Sequence, residues 1–190
     1  AYRTRSKLFY LNNKIECYKS LDAVDKCLKK SPSFRIEVNN NIYRAIVDLT
    51  YDTSKNYDKI IDNIKALVSI TLQHNLNRGI IQSHMVLSAA YLKRGNHEDI
   101  VLAKKIATTA IDYSIRLGIP SYLWRLYNIL GIIDTRLKQN TNTIKQDYET
   151  AFDILDKQNL LYIGKGELCF SNILAISNIG FFLRRNSYQK

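Results

Sequence analysis

A chain of 190 residues, 46% of them apolar, is long enough to bury a core without disulfides or metal and too apolar to stay disordered. Its 7 Gly and 2 Pro are too few for the frequent turns of a β-sandwich or barrel and favour long helices. The formal charge is +11, and residues 1–44 carry ten Lys/Arg against four Asp/Glu. Such an excess points to acidic partners (nucleic acid, anionic lipid or an acidic protein), or else to a solvated basic surface.

The chain opens Ala1-Tyr2-Arg3, and Met85 is its single methionine, as expected of a piece of a longer protein. The amino end carries no signal-peptide pattern. Apolar spacing predicts helices over residues 4–11, 13–30, 34–52, 55–75, 79–94, 98–117, 121–138, 143–158 and 166–185. Residues 1–54 form amino-terminal helices that read as a divergent first repeat. Cys17, Cys27 and Cys169 lack metal-ligand spacing and suit a reducing, cytoplasmic compartment, where buried thiols act as small apolar residues.

Helix 98–117 shows the pattern most fully. Ala103, Ile106, Ala107, Ala110, Tyr113 and Leu117 form one stripe, with Lys104, Lys105, Thr108, Asp112 and Arg116 opposite. Gly95 is placed to stop the preceding helix and Asn96 to cap this one; Gly118 and Pro120 end it. Thr143 and Gln146 have the spacing of a capping box.

The last segment, residues 168–183, is uncharged and followed by Arg184 and Arg185. It is too short for a membrane span and is interrupted by Ser171, Asn172, Ser177 and Asn178. Its apolar side chains occupy more than one face, so a second subunit or further chain is expected to cover it. Phe170, Ile173, Phe181 and Phe182 are the candidate residues of a homodimer interface.

Residues 55–190 also repeat. LNRGIIQSHMVL, ending at Leu87, matches IPSYLWRLYNIL, ending at Leu130, with an offset of 43. Asn128-Ile129-Leu130-Gly131-Ile132 matches Asn172-Ile173-Leu174-Ala175-Ile176 with an offset of 44, and Ala110-Ile111-Asp112 matches Ala151-Phe152-Asp153. Helix pairs too small to hide their own apolar faces shelter them by stacking. Leu130-Gly131, and Leu87-Ser88 with Tyr91, resemble the first helix of the tetratricopeptide motif. Ala103, Ala107 and Ala110 resemble the small positions of the second. The period exceeds the usual 34, and Asp134 replaces the motif's aromatic residue. This long, degenerate version is similar to the sensor domains of bacterial peptide-responsive regulators (the RNPP group, which includes Rap proteins) and of MalT-like activators. The resemblance implies an all-α fold of about eight or nine helices, in antiparallel pairs stacked as a right-handed superhelix.

In such arrays the first helix of each pair lines the concave surface. With Leu130 as a core position, helical spacing turns Arg125, Asn128 and Thr135 toward that surface, and Gln82 and Asn172 are their equivalents. Asn offers a donor and an acceptor to a peptide backbone, and Arg can hold a carboxylate through two hydrogen bonds. The resemblance implies a peptide groove; the alternative is that Asn128 and Asn172 satisfy backbone groups between helices. Tyr122, Trp124 and Tyr127 read as core, with ligand stacking as the alternative.

Signals for chemistry are weak. His74, His84 and His97 lack metal spacing, and His97-Glu98-Asp99 reads as a helix start. Gly164-Lys165-Gly166-Glu167 lacks the remainder of a phosphate loop. Neither a cofactor nor an enzymatic activity is expected. The leading expectation is a regulatory module of a bacterial transcription regulator that binds a peptide or protein, with DNA contacted only through a domain outside this chain and no membrane involved. One alternative is an assembly scaffold without a small ligand. Another is direct nucleic-acid binding through Arg3, Arg5, Lys7, Lys26, Lys29 and Lys30.

Overall fold

Each periodic segment between residues 14 and 157 folds as a helix in the structure, a computed structural model that describes residues 14–51 and 56–157. In chain order these are α1 (Lys14–Lys30), α2 (Phe34–Tyr51), α3 (Tyr57–Gln73), α4 (Asn77–Arg94), α5 (His97–Arg116), a 3₁₀ turn (Pro120–Tyr122), α6 (Leu123–Arg136) and α7 (Thr141–Lys157). The described residues thus hold seven α-helices and no strand. The expected helices at 4–11 and 166–185 lie outside them.

Backbone geometry ends the helices. Asn75 after α3, Gly118 after α5 and Lys138 after α6 take φ of 50°, 61° and 52°. At each, the following N–H bonds a carbonyl five residues back: Leu76 to Thr71 at 2.9 Å, Ile119 to Ser114 at 2.9 Å and Gln139 to Asp134 at 3.0 Å. This closes carbonyls that the helix leaves open. Gly95 ends α4 with φ 84° and donates to the Tyr91 carbonyl at 3.0 Å.

The expected capping box at Thr143 does not form, because α7 starts earlier. The Asn140 side chain accepts from the Asn142 N–H at 2.8 Å, and its carbonyl from Ile144 at 3.2 Å. Asn is as strong a cap as Thr, and the chain meets Asn140 directly after the left-handed turn at Lys138.

The repeat is written in the backbone as well as in the side chains. The bounds Lys14–Lys30 and Phe34–Tyr51 recur, each 43 residues on, as Tyr57–Gln73 and Asn77–Arg94. The left-handed residues pair at the same offset, Asn75 with Gly118 and Gly95 with Lys138. So do buried positions of α3 and α5: Ile60 with Ala103, Ile64 with Ala107, Leu67 with Ala110 and Thr71 with Ser114. The period therefore reaches back into the first 54 residues, further than the sequence matches alone carried it.

Each helix packs on the next, and α4 also touches α2 and α6. The largest apolar cluster runs from α2 to α6, through Ile42, Ile61, Ile81, Leu126 and Ile133 among others. Separate small clusters close the two ends, Cys17, Leu21 and Val47 at α1–α2 and Trp124, Ile144, Tyr148, Ala151 and Leu155 at α6–α7. Each fully buried Leu or Ile contributes about 1.5–3 kcal/mol relative to an exposed one. Cys17 is buried as expected. Cys27 is exposed, because it lies on the side of α1 away from Leu21.

The helices α2, α4 and α6 are tied in series by cations. Lys93 Nζ donates to the Leu49 carbonyl, and Arg136 Nη1, 43 residues later, donates to the Leu92 carbonyl at 2.6 Å. Each cation thereby meets the negative end of the preceding helix in the row.

Candidate functional site

The row α2–α4–α6 carries the residues singled out from the sequence, and they differ in access. On α4, Gln82 is 6% exposed. On α6, Arg125 is half-buried, with its guanidinium 4.3 Å from the centre of the Trp124 ring. Asn128 lies three residues further along, half-buried, and its Oδ1 is enclosed without a hydrogen-bond partner. Thr135 is exposed, and its hydroxyl donates to the Gly131 carbonyl at 2.6 Å. Asn172 and the interface candidates Phe170, Ile173, Phe181 and Phe182 lie outside the described residues. The structure thus brings Arg125 and Asn128 together on adjacent turns, while Gln82 belongs to the interior of α4.

The aromatic group at the start of α6 is core. Tyr122 is 5% and Trp124 1% exposed, and Tyr127 packs between two apolar clusters. The Trp124 Nε1 is buried without a partner. An unmet buried donor or acceptor costs about 1–3 kcal/mol, so Trp124 Nε1 and Asn128 Oδ1 give α6 unused hydrogen-bonding capacity.

Sequence reasoning missed an ionic cluster behind α6, built around one buried carboxylate. Asp134 is 1% exposed, and Lys104 Nζ of α5 lies 2.7 and 3.0 Å from its two oxygens. From α7, Asp147 faces the same spot; its Oδ2 is enclosed without a partner. Burial, reinforced by the Asp134 charge, pushes the Asp147 carboxyl up to about 6. Lys104 had been assigned to the solvent side of its helix. It stands 43 residues after Ile61 of α3, which is 1% exposed, but its own side chain stays 36% exposed, so it lies at the edge of the core with its ammonium reaching in to Asp134. The same joint recurs in altered chemistry. The Tyr18 hydroxyl donates to Asp48, a pair 30 residues apart like Lys104 and Asp134.

The remaining titratable groups have structural explanations. His84 is 8% exposed and donates from Nδ1 to the Ile80 carbonyl at 2.8 Å, while burial pushes its pKa down and keeps it neutral. Arg94 grips Asp99 with two bonds of 2.8 and 2.6 Å and also holds Asp58. The Arg94 hydrogen bond holds the Asp99 carboxyl below its usual range. Asp99 also takes the Asn96 backbone N–H, which makes His97-Glu98-Asp99 a helix start as expected. Among the described residues no group of three metal-ligating side chains converges, and no helix is long and apolar enough to cross a membrane.

Comparison with protein-family models, curated proteins and solved structures returns no match for this chain.

Proposed function

We propose that the chain is a tetratricopeptide-like regulatory module that binds a peptide or protein partner on the face formed by α2, α4 and α6. The links of two to six residues between consecutive packed helices α3 to α7, the longest holding the 3₁₀ turn, support antiparallel pairs. The 43-residue recurrence of helix bounds and left-handed turns supports their stacking into a superhelix, with α2, α4 and α6 as its inner row. On this reading α3, α5 and α7 are the outer partners and α1 closes the amino-terminal side.

The observation that carries the binding reading is on α6. Asn128 keeps an unmet acceptor one turn from the guanidinium of Arg125. The Asn128 oxygen is closed to solvent as it stands, so a peptide N–H would reach it once the side chain turns outward, a move that breaks no hydrogen bond at that oxygen. A carboxylate would add to the contacts Arg125 already makes with Trp124 and the Ser121 carbonyl. A role in a bacterial transcription regulator, acting in the cytoplasm and with DNA met through another domain, follows from the resemblance of the long degenerate repeat. A homodimer through the carboxy-terminal apolar segment belongs to the same reading. An assembly scaffold would use the same row of helices without a dedicated acceptor, so Asn128 separates the two.

The test is binding of a short-peptide library to the chain by fluorescence polarisation, followed by Asn128→Ala and Arg125→Ala. Loss of a buried hydrogen bond to a peptide should weaken binding about tenfold. A peptide that binds wild type and both variants equally would overturn the groove. Failure of any peptide to bind would favour the scaffold.

A further inference from the structure

The joint between α1 and α2 is ionic where the equivalent joint between α3 and α4 is apolar, and the exchange leaves a hollow. Arg44 of α2 donates to Asp22 at 3.1 Å and to Asp25 at 2.7 Å, both on α1. Asp48 accepts the Tyr18 hydroxyl through Oδ1. One repeat on, the positions of Arg44 and Asp48 are Leu87 and Tyr91, 7% and 5% exposed, which fill the main core. Arg44 is drawn toward α1 and Asp48 is far shorter than Tyr91, so nothing comparable fills the space on the α3 side. A cleft of about 250 Å³ opens there, its lining including Arg44, Ala45 and Asp48 of α2 and Ile60, Asn63 and Leu67 of α3.

Size and charge narrow what the cleft suits. Its volume is below the roughly 300–1,000 Å³ of small-molecule pockets and matches a single long side chain. Asp22, Asp25 and Asp48 outnumber Arg44 at this joint, leaving two net negative charges in a chain of +11. Both Arg44 and Asp48 line the hollow. Arg44 is paired with two carboxylates, whereas Asp48 takes only the neutral Tyr18 hydroxyl on Oδ1, so the charge left over at the hollow is that of Asp48. Ala45, Ile60 and Leu67 supply apolar wall, and the exposed Asn63 amide stands at the rim. A long basic side chain has this same division, an apolar stem and a charged tip.

We propose that this cleft receives a lysine or arginine side chain from a partner protein segment, the stem against Ala45, Ile60 and Leu67 and the charged end at Asp48. The contact lies on the α1–α3 side of α2 and is independent of the α6 residues assigned to the peptide groove.

The experiment is a two-dimensional amide NMR titration of the full 190-residue chain with three probes: Nα-acetyl-lysine methylamide, its norleucine analogue and putrescine. Shifts should centre on Ala45, Asp48, Asn63 and Ala66 with the lysine probe, and the uncharged norleucine analogue should bind about fivefold more weakly. Asp48→Asn should remove that difference. Asn63→Trp, which fills the rim without touching the ion pairs, should abolish binding even if the Asp48 variant fails to fold. Equal binding of norleucine and lysine, or shifts centred elsewhere, would overturn the proposal. Tighter binding of putrescine than of the lysine amide would also overturn it, since a free diamine would then be the better occupant.

Discussion

Asp134 and Asp147 share one lysine, and that imbalance has a measurable pH signature. Lys104 lies against Asp134, so Asp147 must desolvate beside a carboxylate with no cation of its own. Its carboxyl rises from an ordinary 3.8 to about 6. A carboxyl whose folded pKa exceeds its unfolded pKa favours folding when protonated. The penalty is therefore absent below about pH 4, grows across the interval and is complete above about pH 6. A shift of that size corresponds to about 3 kcal/mol, reduced to about 1–2 because Asp147 keeps some contact with solvent. Asp147→Asn, which retains the shape and can donate to Asp134, should stabilise the chain by about 1–2 kcal/mol at pH 7 and by less than about 0.5 kcal/mol at pH 4. Urea midpoints at the two pH values measure this, and an equal shift at both would sink the carboxyl-pair account. The cluster was illegible in the sequence for a reason of reach. Asp134 reads as a polar residue in place of the motif's aromatic and Lys104 as part of the polar face, and nothing in either helix's own period shows that a 36% exposed lysine reaches across to a buried carboxylate. Asn128 and Arg125 were easier, since a fixed core position at Leu130 sets the direction of the whole helix.

For the helices, legibility followed the strength of the apolar period. The bounds of α1 to α5 lie within three residues of those expected, because each has a continuous stripe and a link that ends it, Gly95 and Gly118 among them. The start of α7, at Thr141, falls two residues before the expected 143, because two good caps, Asn140 and Thr143, lie three residues apart and propensity does not choose between them. Gly131 shows what close approach requires. A Cβ built there would lie 2.8 Å from the Cε1 and Cζ of Tyr148, a ring that is 6% exposed and hydrogen-bonded to Thr135. Ala in place of Gly raises helix propensity by about 1 kcal/mol. Overpacking against a ring that cannot swing aside costs about 1–3 kcal/mol, so the clash should win. Gly131→Ala is expected to destabilise by about 1 kcal/mol net. Ser88, one repeat earlier, faces the Ala103 carbonyl at 2.8 Å rather than a ring, and Ser88→Gly should cost only the hydrogen bond and the helix propensity. If Gly131→Ala leaves the urea midpoint unchanged or raises it, α6 and α7 are not in the contact described.

A chain whose helices touch chiefly their neighbours should not resist unfolding evenly. In α4 twelve of 18 residues are buried, and this helix packs on α2, α3, α5 and α6. By contrast α1 buries two residues, Cys17 and Leu21, against α2. In α7 four are buried, Ile144, Tyr148, Ala151 and Leu155, against α6. With stability built from such nearest-neighbour interfaces, local opening costs least where an element has one neighbour. Native-state hydrogen exchange should show protection highest in α4, intermediate in α3 and α5, and lowest in α1 and α7. The cations Lys93 and Arg136 join α2 to α4 and α4 to α6, so Arg136→Ala should lower protection in α6 and α7 while leaving α2 and α3 unchanged. Protection that is uniform along the chain, or that falls everywhere in Arg136→Ala, would mean a single cooperative bundle. It would remove the physical basis for an array with an open binding face, because a face lined by α2, α4 and α6 exists only if those helices form a row.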